Sequence, residues 1–148
     1  MKNDNVAEFG ADDFDAIDEA EMIVRVNGQA TSWVWTFAGP GHPQSIAQSN
    51  RLARERLAED REKEQARVNG RKWTDTEDSP EDARLRNVNW IVERIIGWSP
   101  VKIDGALVPF SPDAARKILM DPRKGQIFVQ ALEFLANDKA FMRRSAGA

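Results

Sequence analysis

Two neighbouring stretches of the chain alternate apolar and polar residues with a period of two. In the segment EMIVRVNGQATSWVWTF, three apolar side chains share one face of each stretch: Met22, Val24 and Val26, then Trp33, Trp35 and Phe37. The Asn27-Gly28 dipeptide between them favours a tight two-residue turn. The pattern therefore predicts an N-terminal β-hairpin. Because an isolated hairpin is only marginally stable in water, we expect other elements to cover its aromatic face.

A long helical pattern follows the Gly- and Pro-rich segment AGPGHP and covers about residues 44–68. No helix breaker occurs before Asn69-Gly70, and the only apolar stripe is a narrow one formed by Ile46, Ala53 and Leu57. Beyond Leu57 nearly every residue to position 67 is charged or small. A helix of this composition is expected to project into solvent or to contact a partner, because it has little apolar surface to bury.

The C-terminal half, residues 80–148, predicts a helical module that follows a polar linker over about residues 70–79. Ser79-Pro80 has the N-cap and first-turn chemistry of a helix start. The apolar residues of this second helix recur at helical spacing, and Gly97 is predicted to end it; these residues are Leu85, Val88, Val92, Ile95 and Ile96.

A short β-turn segment follows, with Val101 to Phe110 folding back at Asp104-Gly105. Ser111-Pro112 then predicts the start of a third helix that ends at Asp121-Pro122, and a fourth is predicted from about Gly125 to Phe141.

The first 20 residues differ from the rest in charge. Eight of the 24 acidic residues, but only one of the 21 basic residues, lie among the first 21 positions. Since this segment also has few large apolar residues, residues 1–20 are expected to form a disordered acidic arm. Residues 21–148 are then expected to form a single domain. The predicted fold class is α+β and mainly α-helical, with an N-terminal β-hairpin, a long charged helix and the C-terminal helical module.

Composition argues against several classes of function. Cysteine and tyrosine are absent, and His42 is the single histidine, so a histidine metal cluster cannot be built. His42 lies in the tight loop GPGHP, where a turn or packing role is expected and not a place in a Ser-His-Asp triad. We therefore expect no enzymatic activity, no metal and no cofactor. A net charge of −3 disfavours nucleic acid as a partner, and no segment is long and apolar enough to span a membrane. A cytoplasmic protein is expected.

Aromatic residues are the main candidates for binding a partner protein. Trp73 and Trp98 lie beside a linker and a helix end, where aromatic side chains are difficult to bury. Trp33 and Trp35 are expected to pack mostly against the helices, but they belong to the same apolar surface. The predicted partner-binding residues are Trp33, Trp35, Trp73, Trp98, Phe110 and Phe141. A partly covered apolar surface beside a charged helix suits a protein that binds hydrophobic helices.

A resemblance extends over about residues 21–148. It is carried by the segments WTFAGPGHPQSIAQSNRLARERL, QARVNGRKW, RNVNWIVERIIGWSPVKIDGALVPFSPDAARKILMDPRKG and QALEFLANDKAFMRRSAGA. Its most specific part is the order of Trp98, Asp104-Gly105, Pro109 to Pro112 and Phe141. In these features the chain resembles the tail assembly chaperones of tailed bacteriophages and prophages.

The resemblance implies a non-enzymatic role in the cytoplasm of an infected or lysogenic bacterium. Such chaperones bind the helical tape measure protein and keep it soluble until tail tube subunits polymerise around it. In some relatives a frameshift-extended form reaches the tail tube protein, which is therefore a second expected partner. The resemblance implies no cofactor. Self-association of the chain stays an open alternative.

Two other functions stay open at the level of sequence. One is a structural tail completion or connector protein that remains in the virion. The other is an interaction protein that engages a host defence system, with the acidic arm imitating nucleic acid toward a basic partner.

Overall fold

The computed structural model describes residues 6–73 and 79–142. These residues form four helices and a three-stranded antiparallel sheet with the strand order β1-β2-β3. Two further strands form a separate small hairpin. The strands are β1 (Glu19–Val26), β2 (Gln29–Ala38), β3 (Ile95–Trp98), β4 (Lys102–Ile103) and β5 (Ala106–Leu107). The helices are α1 (Pro43–Val68), α2 (Pro80–Arg94), α3 (Pro112–Met120) and α4 (Gly125–Ala136). The predicted α+β, mainly α-helical class is confirmed.

The N-terminal hairpin is confirmed. Strands β1 and β2 pair antiparallel with Met22 opposite Trp35, and Asn27 and Gly28 form the turn with φ angles of 53° and 82°. One face of the hairpin is buried as predicted, with Val24 and Trp35 fully covered. Val26 is the exception, because it lies beside the turn and is 43% exposed.

The predicted end of the second helix is wrong. Helix α2 ends at Arg94, and the next four residues form strand β3, which pairs with β2 so that Trp98 lies opposite Trp35. Ile95 and Ile96 therefore belong to a strand and not to the apolar face of the helix. β-Branched residues fit a pleated sheet well, and pairing with the neighbouring strand here outweighs the helical spacing of the sequence.

Helix α1 has almost the predicted bounds, but the predicted apolar stripe does not pack. Ile46 is 48% exposed and Leu57 is 57% exposed, whereas Ser45 and Gln48 are buried. The helix is therefore attached to the rest of the molecule by polar contacts.

Two helices of the C-terminal module, α2 and α3, begin at the predicted N-cap residues. The Ser79 hydroxyl accepts a hydrogen bond from the Asp82 amide, and the Ser111 hydroxyl accepts one from the Ala114 amide. The β-turn segment is also confirmed, with β4 and β5 paired around Asp104-Gly105. The fourth helix is shorter than predicted: α4 ends at Ala136, and Asp138–Phe141 forms a 3-10 turn.

The prediction of a disordered arm over residues 1–20 needs correction for the described part. Ala11–Phe14 forms a 3-10 turn, and β1 already begins at Glu19. Backbone hydrogen bonds hold the segment between them: the Ile17 amide donates to the Phe141 carbonyl at 2.8 Å, and the Gly39 amide donates to the Asp18 carbonyl at 2.7 Å. Residues 1–5 lie outside the described residues, as do residues 74–78 of the predicted linker.

The buried residues form one cluster between the sheet and helices α2, α3 and α4. Its fully covered members include Val24, Trp35, Phe37, Val88, Ile91 and Leu119. Helix α1 contributes no residue to this cluster, in agreement with its polar attachment.

We predict that Gly39→Ala destabilises the protein. A Cβ atom at this position would overlap the Ile17 carbonyl oxygen, so the arm or the end of β2 must shift. Overpacking of this kind costs roughly 1–3 kcal/mol in the free energy of unfolding, which urea denaturation measures. The control is Gly97→Ala, where the added Cβ meets no atom within 4 Å. Equal stability of the two variants would show that the arm is not held as described.

A second prediction concerns acid sensitivity at Asp121. Its hydrogen bond from Lys124, followed by one from the Arg123 amide, lowers the pKa of this carboxyl from 3.8 to about 2. Because the folded-state pKa is depressed, the stabilisation is present above the unfolded pKa and is lost as pH falls from about 4 to about 2.

We expect Asp121→Asn to reduce the loss of stability in this pH range, as measured by urea denaturation at a series of pH values. Lys124→Gln should have a similar effect, because it removes the largest cause of the pKa shift. Unchanged acid sensitivity in both variants would contradict the assignment.

Candidate functional site

Two glutamines attach helix α1 to the C-terminal end of α2. The Gln44 side-chain amide donates to the Glu93 carbonyl at 3.0 Å and to the Ile95 carbonyl at 3.3 Å. One turn further along α1, the Gln48 amide donates to the Trp90 carbonyl at 2.9 Å. The Glu93 carbonyl is among the last four of α2, which have no donor within their own helix. Gln44 therefore satisfies a carbonyl that the end of α2 leaves free, and Gln48 adds a second hydrogen bond to a carbonyl about one turn earlier.

An ion pair continues the same row on α1. Arg51 contacts both carboxylate oxygens of Glu93 at 2.6 Å and also donates to Glu55 at 3.1 Å. The hydrogen bond that Arg51 donates to Glu93 is the main cause that raises the pKa of Arg51 above its usual value. The pair is partly exposed, so its energetic contribution is modest, but its geometry fixes the separation of the two helices.

An open groove of about 820 Å³ lies between α1 and α2 beside this row of contacts, and Arg51 and Glu93 help to line it. One face of α2 lines it, with residues at helical spacing: Asp82, Leu85, Arg86, Asn89, Trp90 and Glu93. Leu52 of α1 and Leu132 of α4 complete its apolar part. Leu52 and Leu85 are each 39% exposed, and Trp90 is half-buried. The groove thus presents apolar surface that the protein's own helices cover only in part.

Charges around the groove are balanced. Three arginines and three carboxylates line it: Arg51, Arg86 and Arg116, with Glu55, Asp82 and Glu93. Arg116 is held by Asn89 at 2.9 Å and by Asp113 at 2.8 Å. A polyanion gains little from such a neutral rim. An amphipathic helix fits it better, because its apolar side can cover the leucines while its polar side chains meet charges of both signs.

The structure brings four of the six predicted partner-binding residues together: three tryptophans of the sheet, Trp33, Trp35 and Trp98, and Phe110 of the segment before α3. Trp33 lies 5.4 Å from Trp35 and 5.5 Å from Trp98, as measured between ring centroids. Phe110 packs edge-on against Trp98 at 5.0 Å. The Trp98 indole N–H donates to the Val108 carbonyl at 3.0 Å, so this residue ties β3 to the β-turn segment.

Three of the predicted contact residues are core residues instead. Trp35 is fully covered, Trp33 is 9% exposed and Phe141 is 4% exposed. Phe141 packs against Phe134, with ring centroids 5.8 Å apart. In this conformation these side chains mainly fill the core, and their role in partner binding stays a prediction. Burial of a strand face of alternating aromatics has a physical reason, because an isolated hairpin is only marginally stable in water and needs such a cover.

The other three predicted residues keep accessible surface. Trp98 and Phe110 border a small cleft of about 360 Å³ beside Leu107, which is 66% exposed. Trp73 is half-buried near the far end of α1, with the Lys63 ammonium 5.9 Å from its ring centroid. A role for Trp73, Trp98 or Phe110 in partner binding stays a prediction.

Sequence reasoning missed Trp90, Leu52 and Leu85 as groove residues. For Trp90, the helical spacing of the sequence could have shown that it lies outside the core face of α2. The buried residues of α2 are Val88, Ile91 and Val92, and a tryptophan two positions before Val92 lies off that buried face. Leu85 was instead assigned to the core face of its helix.

His42 is used for structure. Its Nδ1 atom accepts a hydrogen bond from the Gln44 amide at 3.1 Å, which makes it the N-cap of α1. Across residues 6–73 and 79–142, no group of three or more His, Asp or Glu side chains is placed to hold a metal ion. No helix in the described part of the chain is long and apolar enough to cross a membrane.

The chain was compared with known families, characterised proteins and solved structures. No family model, no curated protein and no solved structure matches it. The groove between α1 and α2 is therefore interpreted from its own geometry.

We predict that Gln48→Ala lowers the free energy of unfolding by about 1 kcal/mol, the typical contribution of one such hydrogen bond. The variant also leaves the groove less well defined, because it removes a contact that fixes α1 on α2. The matched control is Gln65→Ala on the exposed part of the same helix. Equal stability of the two variants in urea denaturation would contradict the polar attachment of α1.

Proposed function

We propose that this protein is a tail assembly chaperone of a tailed bacteriophage or prophage. It binds apolar helices of the tape measure protein in the host cytoplasm and keeps them soluble until tail tube subunits polymerise around them. It does so without catalysing a reaction and without a cofactor. The observation that carries the proposal is the groove between α1 and α2, whose apolar floor is left half-exposed.

The size and lining of the groove suit one side of a helix. Leu52, Leu85, Trp90 and Leu132 provide apolar contact area, and charged residues of both signs surround them. Burying such surface contributes roughly 25 cal/mol per Å², so a few side chains of a client helix give useful but limited affinity. A chaperone that tube subunits must later displace needs this kind of binding.

The outer part of α1 supports solubility of the complex. At about 1.5 Å per residue, the helix extends well beyond its contacts with α2. Its exposed charged side chains form pairs along the helix, such as Lys63 with Glu59 at 3.3 Å. A strongly hydrated extension beside the groove opposes aggregation of a client whose remaining apolar surface is uncovered.

The test is co-expression with a fragment of the long helical tape measure protein encoded in the same phage genome. We expect the wild-type chain to keep this fragment soluble and to co-purify with it. Leu52→Ser combined with Leu85→Ser should lower the affinity at least about tenfold, because each removes part of the apolar floor. Both residues are partly exposed, so the fold should tolerate the change.

The matched control is Val26→Ser combined with Val68→Ser, which removes two exposed aliphatic side chains outside the groove. Circular dichroism establishes that all variants are folded. If the groove variant binds like wild type, or the control loses binding equally, the groove is not the client site. Abundant protein in purified virions would instead favour a structural tail component.

A further inference from the structure

A second surface lies on the N-terminal arm and presents aromatic residues to solvent. Phe9 is 61% exposed and Phe14 is 73% exposed, in contrast to the aromatic residues of the sheet. Their rings pack on each other with centroids 4.9 Å apart. Two phenylalanines that cover each other but leave most of their surface in water have no role in the core of this protein. Exposed aromatic clusters of this kind are typical of binding surfaces.

The arm holds these rings in a defined position. The Gly10 amide donates to the Asp13 carboxylate at 2.8 Å, and the Asp13 amide donates to the Gly10 carbonyl at 3.1 Å, which closes the turn between the two phenylalanines. The segment that follows is attached through the backbone bonds of Ile17 and Asp18 to Phe141 and Gly39. A partner therefore meets a surface that is already ordered, which reduces the entropic cost of binding.

Clefts open on two sides of Phe14. The first, of about 480 Å³, lies between Phe14, Pro40, Phe141 and Met142, and Met142 is 59% exposed. The second, of about 820 Å³, lies between Phe14, Ile17, Pro40 and Gly41. The two clefts are adjacent, because Phe14, Asp15, Ala16 and Pro40 line both of them.

Every charged residue that lines these clefts in the described chain is acidic. Asp13 and Asp15 line the first cleft, and Asp15 and Asp18 line the second. The arm as a whole has one basic residue for eight acidic ones within the first 21 positions. This surface therefore has a negative potential, unlike the balanced rim of the groove between α1 and α2.

We propose that the arm and its two clefts bind a segment of a partner protein in which Lys or Arg residues alternate with large apolar residues. The apolar side chains enter the clefts beside Phe14, and the cations pair with Asp13, Asp15 and Asp18. The exposed faces of Phe9 and Phe14 also attract cations. This site is separate from the proposed client groove and does not depend on the chaperone function.

The probe is a fluorescein-labelled peptide of alternating Lys and Leu, and binding is measured by fluorescence anisotropy at low and high NaCl. Two comparison peptides replace Leu by Ser or Lys by Glu. We expect the Lys/Leu peptide to bind best and its affinity to fall with salt, since the carboxylates are exposed. Phe9→Ala combined with Phe14→Ala should weaken it at least about tenfold, and Asp15→Asn combined with Asp18→Asn should reduce both affinity and salt dependence.

Two control variants remove equivalent groups elsewhere. Asp60→Asn with Glu62→Gln removes two exposed carboxylates of α1, and Val26→Ser with Val68→Ser removes two exposed aliphatic side chains. Both should bind the Lys/Leu peptide like wild type.

Three results would overturn the proposal. Equal binding of the Lys/Ser peptide would mean that charge alone attracts the probe and the clefts have no part in it. Unchanged affinity of the arm variants would place the binding elsewhere. A concentration-dependent dimer that the Phe9 and Phe14 substitutions abolish would identify a second copy of this chain as the occupant.

Discussion

The antiparallel pairing of β3 with β2 determines much of the architecture around the groove. To place Trp98 opposite Trp35, the chain must leave the helical conformation at Ile95, immediately after Arg94. This abrupt end leaves terminal carbonyls of α2 without helical donors. Gln44 donates to the Glu93 carbonyl, and the same side of α1 then positions Arg51 against the Glu93 carboxylate. The groove is thus a consequence of how one helix ends.

Polar attachment has a further consequence for the function we propose. A helix packed through leucines would have buried Leu52 and closed the groove, whereas side-chain amide bonds hold α1 without using its apolar residues. The exposed apolar surface is therefore available to a client. The two proposed surfaces also differ in charge. The groove is lined by charged residues of both signs, whereas the charged residues that line the arm clefts in the described chain are all acidic. We therefore propose different partners for the two surfaces.

Local sequence signals predicted the elements whose boundaries depend on nearby residues. Asn27-Gly28 located the hairpin, and Ser79 and Ser111 located the starts of α2 and α3. Strand β3 was not predicted because Ile95 and Ile96 continue the helical spacing of α2. Their extended conformation depends on pairing with β2, which is distant in sequence. The groove was not predicted because glutamines attach α1 to α2, and a pattern of hydrophobic residues gives no information about glutamine contacts.

The most direct test of the central claim is to map a client helix on the protein by nuclear magnetic resonance. An apolar tape measure peptide is titrated into the isotope-labelled chain, and backbone amide shifts are followed residue by residue. The account predicts that the largest changes occur along α2 near Leu85 and Trp90 and on α1 near Leu52. Changes confined to the β-turn segment near Phe110, to the N-terminal arm or to the far end of α1 would contradict it.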